Sequence, residues 1–404
     1  MDTANGSITA LDLNAELRRH FLFPTIFVGI ETCLAFVGNF MVLMVFSLNY
    51  SACNFRYFVL CLSFLDFLCT FTTMAGDLIN VHYWYVFPVH LTWFCKIKSF
   101  CNMFTVTGEA FCLCAIALDR YRKVCHPLSW QITRAQAVKI CVAVYILAVL
   151  VSTPVPVIWG VHSYHETHNN VSLKLTVCEK DQKYVDTAVH WHYVLFLLVF
   201  MPIVLTITVL LYVRIAVVVF RRRLGLNRKK SQNAKTEASL MSRSFSNNSM
   251  DNLSSVFYSR SSVNNITDTG NQNTNIVCSG PMKKSPGTIR GNNNLQTAKK
   301  GQGAHKPKQI RKKTVIKVVL TSFFSVTVLE YLACLSMVAK GEIADMSNAN
   351  KAGFFFAFRI VFLNHVVNPI VFFVFDRQFR KGIVTLKSAL VKKCNVCKKT
   401  SHAS

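Results

Sequence analysis

Charge is what this chain has least of. In 404 residues there are 19 Asp and Glu against 45 Lys and Arg, only 16% of residues are charged, and 52% are hydrophobic. A soluble domain of this length carries more charge than that, so the shortage excludes an ordinary soluble fold and points to lipid as the main solvent. A leader is lacking too: MDTANGSITALDLNAELRRH has no basic start followed by a short apolar core and cleavage site, so the first apolar span is expected to direct insertion itself. No nucleophile, metal or phosphate motif stands in a suitable context, which speaks against an enzyme. The net charge of +26 raises nucleic acid as a partner, but the basic residues gather in a few segments between apolar runs and in the tail. That distribution suits loops beside anionic lipid and excludes a nucleic-acid surface. The 15 cysteines do not make a secreted disulfide framework, because most of them, such as Cys61, Cys69, Cys112, Cys114, Cys141 and Cys334, lie inside apolar runs as small buried side chains.

A helix of about 20 apolar residues crosses a bilayer, because lipid offers the backbone no hydrogen-bond partners. Seven stretches qualify: Pro24 to Phe46, Phe55 to Leu78, Phe94 to Arg120, Ala137 to Trp159, Tyr193 to Phe220, Thr314 to Val338 and Gly353 to Phe375. The expected fold class is therefore an all-α membrane protein, a seven-transmembrane helix bundle that meets the lipid bilayer. Arg120, Arg122, Lys123 and Arg134 flank spans three and four, and Arg221 to Arg223 and Arg311 to Lys313 bracket spans five and six. Those sides are expected to be cytoplasmic, which puts residues 1–23 outside the cell. Asn5 and Asn170, each in an Asn-X-Ser triplet, then read as glycosylation acceptors. Residues 221–313, rich in Ser, Asn, Gly and Lys, read as a disordered cytoplasmic loop. Within residues 376–404, DRQFRKGIVTLKSALVKK alternates basic and apolar residues as a short amphipathic eighth helix on the inner leaflet would. Cys394 and Cys397 follow as palmitoylation candidates or free thiols. A multi-span transporter would show internal repeats or matched broken helices, and neither is present.

Asp119, Arg120 and Tyr121 at the inner end of span three and Asn368-Pro369 in span seven carry a resemblance. So do Asn39 after Gly38, Leu62, Ser63 and Asp66 in span two, Trp93 and Cys95 before span three, Pro202 in span five and Phe379 after span seven. In this order the chain resembles a class A, rhodopsin-like G-protein-coupled receptor over all seven spans. The resemblance implies a plasma-membrane receptor for an extracellular ligand that activates a heterotrimeric G protein, with arrestin and receptor kinases as further partners. It implies that Asp119 holds Arg120 at rest and that Arg120, with Tyr121 beside it, serves G-protein coupling. It pairs Cys95 with Cys178 in an extracellular disulfide. No cofactor is implied beyond a sodium ion held at Asp66, with Asn39, Asn364 and Asn368 nearby.

Several positions depart from that pattern. Glu109 stands where a small hydroxyl residue is usual, and His365 follows Asn364. Two carboxylates and an imidazole placed close together cannot ionise independently, so Asp66, Glu109 and His365 read either as a proton-coupled switch or as a static hydrogen-bonded cluster. Span six lacks the usual tryptophan and kink proline, with Glu330 in the proline's place; Tyr145 replaces a tryptophan in span four; and span seven ends NPIVF rather than in tyrosine. At the inner end of span six, KPKQIRKKT offers no acid to hold Arg120. Ligand-independent signalling or weak coupling both follow from these changes.

Each ionisable residue inside a span is expensive and counts as a candidate site. Glu31 and Arg359 are expected to pair, and Glu330 either faces the ligand or is satisfied by Tyr331 or water. Asn102 replaces the amine receptors' aspartate, and Phe362 the opsins' lysine. What remains is an outer surface rich in Tyr83, Trp84, Tyr85, Phe87, Trp191 and Tyr193, which favours a neuropeptide-like ligand touching Asp77, Asn102, Met103, Glu330, Tyr331 and Arg359. His82, His90, His162, His165, His168, His190 and His192 keep proton sensing open as an alternative. Zinc on His162, His165 and His168 is a further reading beside ordinary loop histidines.

Overall fold

The computed structural model describes residues 9–168, 171–247, 306–343 and 346–400. The chain divides into two compact units, Met1–Ile215 with Gly303–Ser404, and Ala216–Gln302. Seven helices in the described residues are long and apolar enough to cross a membrane: Leu22–Leu48, Asn54–His82, Val89–Cys125, Arg134–Ile158, Val189–Arg222, Thr321–Lys340 and Asn348–Phe375. They are called spans one to seven below. Spans two and three are the most buried, at 61% and 56% of their apolar windows, and so form the centre of the first unit; spans one and four, at 28% each, turn most of their apolar surface outward. Leu34, Phe71, Val199, Leu210 and Phe373 belong to this exposed apolar belt, which water would not tolerate but lipid solvates.

Local chemistry fixes where the helices start, bend and approach. Span two is interrupted by a π-helical turn at Thr70–Met74. The Thr70 hydroxyl donates to the Asp66 carbonyl at 2.8 Å, beside the Thr70 backbone N–H on the same oxygen, and the Thr72 hydroxyl to the Leu68 carbonyl at 2.7 Å, so side chains add to the backbone bonds around the wider turn. Spans one and seven touch closely because Gly38 has no side chain: a Cβ there would lie 2.7 Å from the Pro369 ring. Span four begins with a reciprocal cap, Thr133 with Gln136.

The seven-helix bundle stands, and the loop between spans four and five, long enough in sequence to form a hairpin lid, is a two-stranded antiparallel hairpin, β1 (Val161–His168) and β2 (Val171–Cys178), registered from Val161 opposite Cys178 to His168 opposite Val171. Two features differ from the sequence expectation. Residues 1–23 are not a plain tail, since Ala10–His20 is a helix with a Thr9–Asp12 capping box and buried Leu13, Asn14 and Leu17. The loop expected over 221–313 is helical at both ends: the helix begun at Val189 is drawn to Asn247, within the second unit from Ala216, and another runs Lys306–Lys340. Its middle lies outside the described residues. The eighth helix is present over Arg377–Thr400, longer than expected, and is started by Asp376, whose Oδ1 accepts from the backbone N–H of Gln378 at 2.8 Å and Phe379 at 3.1 Å.

Candidate functional site

At one end of the bundle the hairpin is fastened by the Cys95–Cys178 disulfide, as the resemblance implied, across 83 residues of sequence. It is also sewn to the segment after span two, where Phe87 donates to the Thr176 carbonyl at 2.9 Å and Thr176 to Tyr85 at 2.8 Å. The N-terminal helix closes the same end: Asn14 donates to His82 O at 3.0 Å and accepts from Tyr85 N at 3.0 Å. Beneath lies a cavity of about 300 Å³, lined among others by Asp77, Trp84, Lys98, Asn102, Met103, Trp159, Tyr164, Tyr331, Phe358 and Arg359.

The cavity floor is ionic. Asp77, 2% exposed, receives Lys98 Nζ on Oδ1 at 2.9 Å, and Arg359 Nε lies 2.6 Å from Oδ2. The second contact is an ion pair without a hydrogen bond, because neither Arg359 Nε nor Asp77 Oδ2 has a bonded partner in good alignment. Arg359 ends the helix Asn348–Arg359, where the helix dipole favours a cation, and its guanidinium lies over the rings of Phe355 at 4.8 Å and Phe358 at 4.5 Å. Phe358 stacks on Tyr331 with ring centroids 4.9 Å apart, and the Tyr331 hydroxyl accepts from Asn102 at 2.8 Å.

Five of the six expected ligand residues, Asp77, Asn102, Met103, Tyr331 and Arg359, thus line one cavity, and the sixth does not. Glu330 stands outside the lining, because one helical step from buried Tyr331 turns it to another face of span six. The expected Glu31–Arg359 pair is also absent. Arg359 is taken by Asp77, while both carboxylate oxygens of buried Glu31 have no hydrogen-bond partner. The zinc reading fails on the strand period: His162 is buried and His165 exposed on opposite faces of β1, and the His168 side chain lies outside the described residues. His162 Nδ1 donates to the Lys180 carbonyl at 3.1 Å, and burial holds its pKa below the usual imidazole range.

Midway along the bundle, His365 Nδ1 lies 2.9 Å from Asp66 Oδ1 and 3.1 Å from Glu109 Oε1. One Nδ1 proton serves one oxygen at a time, and the shorter bond goes to Asp66. Asn368 donates to Asp66 Oδ2 at 3.0 Å, and Asn39 to the carbonyls of His365 at 2.9 Å and Ala35 at 3.0 Å. Asn364, expected in this group, instead donates to Thr327 of span six at 2.8 Å. A sodium ion of the kind the resemblance implied would have to share this site with the imidazole. The ring stands between the two carboxylates and both Asp66 oxygens already receive donors, while Asn39 Oδ1 and Glu109 Oε1 are buried without a hydrogen-bond partner and the ligand atoms of Asp66, Glu109 and His365 lie within 4.8 Å of one another.

At the opposite end Asp119, 1% exposed, is held by Lys123 Nζ at 2.8 Å and by Asn54 at 3.1 Å. Arg120 Nε is 3.8 Å away, beyond hydrogen-bond distance, and its guanidinium lies 5.1 Å over Phe55. The expected Asp119–Arg120 lock is therefore loose, because Lys123 one turn later and Asn54 occupy the acid. Tyr121 turns to the following loop, with its hydroxyl 3.1 Å from His126 Nε2.

Lys98, Lys123, Asn54, Trp159 and Tyr164 went unpredicted. Lys98 answers to the same rule that singled out Asp77 and Arg359, an ionisable side chain inside a span, and Lys123 to its i,i+4 spacing from Asp119; the others carry no local sequence signal. Asn5 and Asn170 lie outside the described residues, as do the side chains of Cys394 and Cys397.

Residues 38–372 match the family model described as 7 transmembrane receptor (rhodopsin family), and the chain belongs to that family. It is a multi-pass membrane protein.

Proposed function

We propose that the chain is a plasma-membrane receptor that binds an extracellular, neuropeptide-like ligand in the hairpin-covered cavity and activates a heterotrimeric G protein through Arg120. The supporting observation is the cavity itself: aromatic and charged side chains from spans two, three, six and seven converge under a disulfide-fastened hairpin. Its volume of about 300 Å³ is at the small end of ligand pockets, so it takes one end of a peptide while the rest lies along the hairpin. From Asn102 in the cavity to Arg120 the span-three helix runs 18 residues, roughly 27 Å. One rigid element therefore joins the ligand to the coupling end. In this reading the N-terminus faces outward, Asn5 and Asn170 carry glycans, and arrestin and receptor kinases share the Arg120 side.

The experiment is a peptide-library screen on transfected cells with G-protein activation as the readout, alongside an N-terminal epitope tag. A peptide that activates wild type but not Arg120→Gln, with the tag labelled on intact cells, is the expected result. Activation that survives Arg120→Gln, or a tag reached only after permeabilisation, refutes it.

A further inference from the structure

The cavity carries more positive than negative charge, and its floor, with Lys98 and Arg359 on one Asp77, keeps one positive charge in excess. Four cations line it, Lys98, Lys180, Lys351 and Arg359, against two acids, Asp77 and Glu179. Lys180 donates to the Ala339 carbonyl at 3.2 Å and Lys351 to the Tyr85 hydroxyl at 2.8 Å, neutral acceptors, and neither lysine makes a salt bridge among the described residues. Burial raises the Glu179 carboxyl to about 7, opposed by Lys180, so this acid is only partly ionised at neutral pH. Asp77 alone faces both Lys98 and Arg359.

A net positive charge in a low-dielectric site is costly until an anion completes it. Arg359 is suited to receive one: it is 7% exposed, it lines the cavity, and its Nε lacks an aligned acceptor. A planar guanidinium offers a carboxylate two parallel hydrogen bonds. The rings of Tyr331, Phe354 and Phe358 line the cavity beside it and give an aromatic group a surface to stack on. An ammonium group, by contrast, would meet Lys98 and Arg359 at a carboxylate they already share.

Resting on the reading of this cavity as the ligand site, we propose that its floor is a carboxylate site: the ligand presents an aromatic group with a carboxylate beside it, held by Arg359 and Lys98. A peptide's free C-terminus and a small aromatic acid both supply that chemistry.

The test is binding to the full-length receptor in nanodiscs, read by thermal shift and titration, so it is independent of any G protein. The probes are indole-3-propionate, its carboxamide and tryptamine, with an N-acetylated dipeptide ending in tryptophan as free acid and as amide. The acids are expected to raise the melting temperature and the amides and the amine are not. Stronger binding of the dipeptide acid assigns the site to a peptide C-terminus, and stronger binding of indole-3-propionate to a small organic acid. Arg359→Gln is expected to weaken acid binding tenfold or more, the loss of one charged hydrogen-bonding partner. Asp77→Asn, which removes the competing anion, is expected to strengthen it. Equal binding of acid and amide by wild type, preference for tryptamine, or no binding by any acid overturns the proposal, and none of these needs a variant to fold. Acid binding by a receptor whose activation by peptide survives Arg120→Gln leaves the carboxylate site standing and refutes the coupling function instead.

Discussion

Asp66 shows how much depends on single buried charges. Its two oxygens hold His365 of span seven at 2.9 Å and Asn368 at 3.0 Å, so removing it leaves half-buried Asn368 without this acceptor and hands His365 to Glu109 at 3.1 Å. Breaking a buried pair from one side costs about 3–5 kcal/mol. Asp66→Ala is therefore expected to lower the melting temperature of the purified receptor by several degrees; an unchanged value would mean that the cluster contributes nothing. Because His365 already stands between the carboxylates, replacing sodium with N-methylglucamine at constant ionic strength is expected to leave basal activity and ligand affinity unaltered. A clear sodium dependence would show that a cation enters after all. Glu179 supplies a pH test, with Lys180 beside it and Tyr164 close by. Its folded pKa of about 7 lies above the ordinary 4.5, so its stabilising contribution is full below pH 4.5 and is lost as pH rises to about 7. Glu179→Gln is expected to remove that slope from the melting temperature. Asp66, Glu109 and His365 were legible as a group because ionisable residues are conspicuous in apolar runs. Their partners were not, since which oxygen takes His365 depends on how spans two, three and seven pack.

Among the elements, the seven spans were legible from composition alone, and their ends moved only by a few residues, as with Pro24 to Phe46 against Leu22–Leu48. The helix at Ala10–His20 was missed although Thr9 and Asp12 spell a capping box, because a short polar helix has no signal at the scale of a membrane span. The π turn at Thr70–Met74 was invisible too: it breaks no hydrophobic pattern and is recognisable only from backbone bonds. The hairpin is the element on which the cavity depends most. Its disulfide closes 83 residues, and such a link stabilises by about 2–4 kcal/mol. Cys95→Ser with Cys178→Ser is expected to lower the melting temperature and to abolish acid-probe binding while leaving the seven-helix content seen by circular dichroism in place. Retained probe binding would show that β2 keeps its position through the Tyr85 and Phe87 bonds alone.

For the whole molecule, the account joins a charged, aromatic cavity under the hairpin to Arg120 at the far end of span three. The sequence indicated both ends but suggested a lock between Asp119 and Arg120, which the structure keeps only as a 3.8 Å ion pair while Lys123 at 2.8 Å and Asn54 at 3.1 Å hold the acid more closely. With no acid in KPKQIRKKT to hold it either, Arg120 keeps the 3.8 Å ion pair with Asp119 and its contact with Phe55. A receptor so arranged is expected to signal without ligand. The most direct measurement is nucleotide exchange on purified heterotrimers, one from each class of α-subunit, catalysed by the receptor in nanodiscs without ligand. The account predicts exchange above the receptor-free rate for at least one heterotrimer and a return to that rate in Arg120→Gln. Wild-type exchange at the receptor-free rate for every heterotrimer, or exchange unaffected by Arg120→Gln, would contradict it.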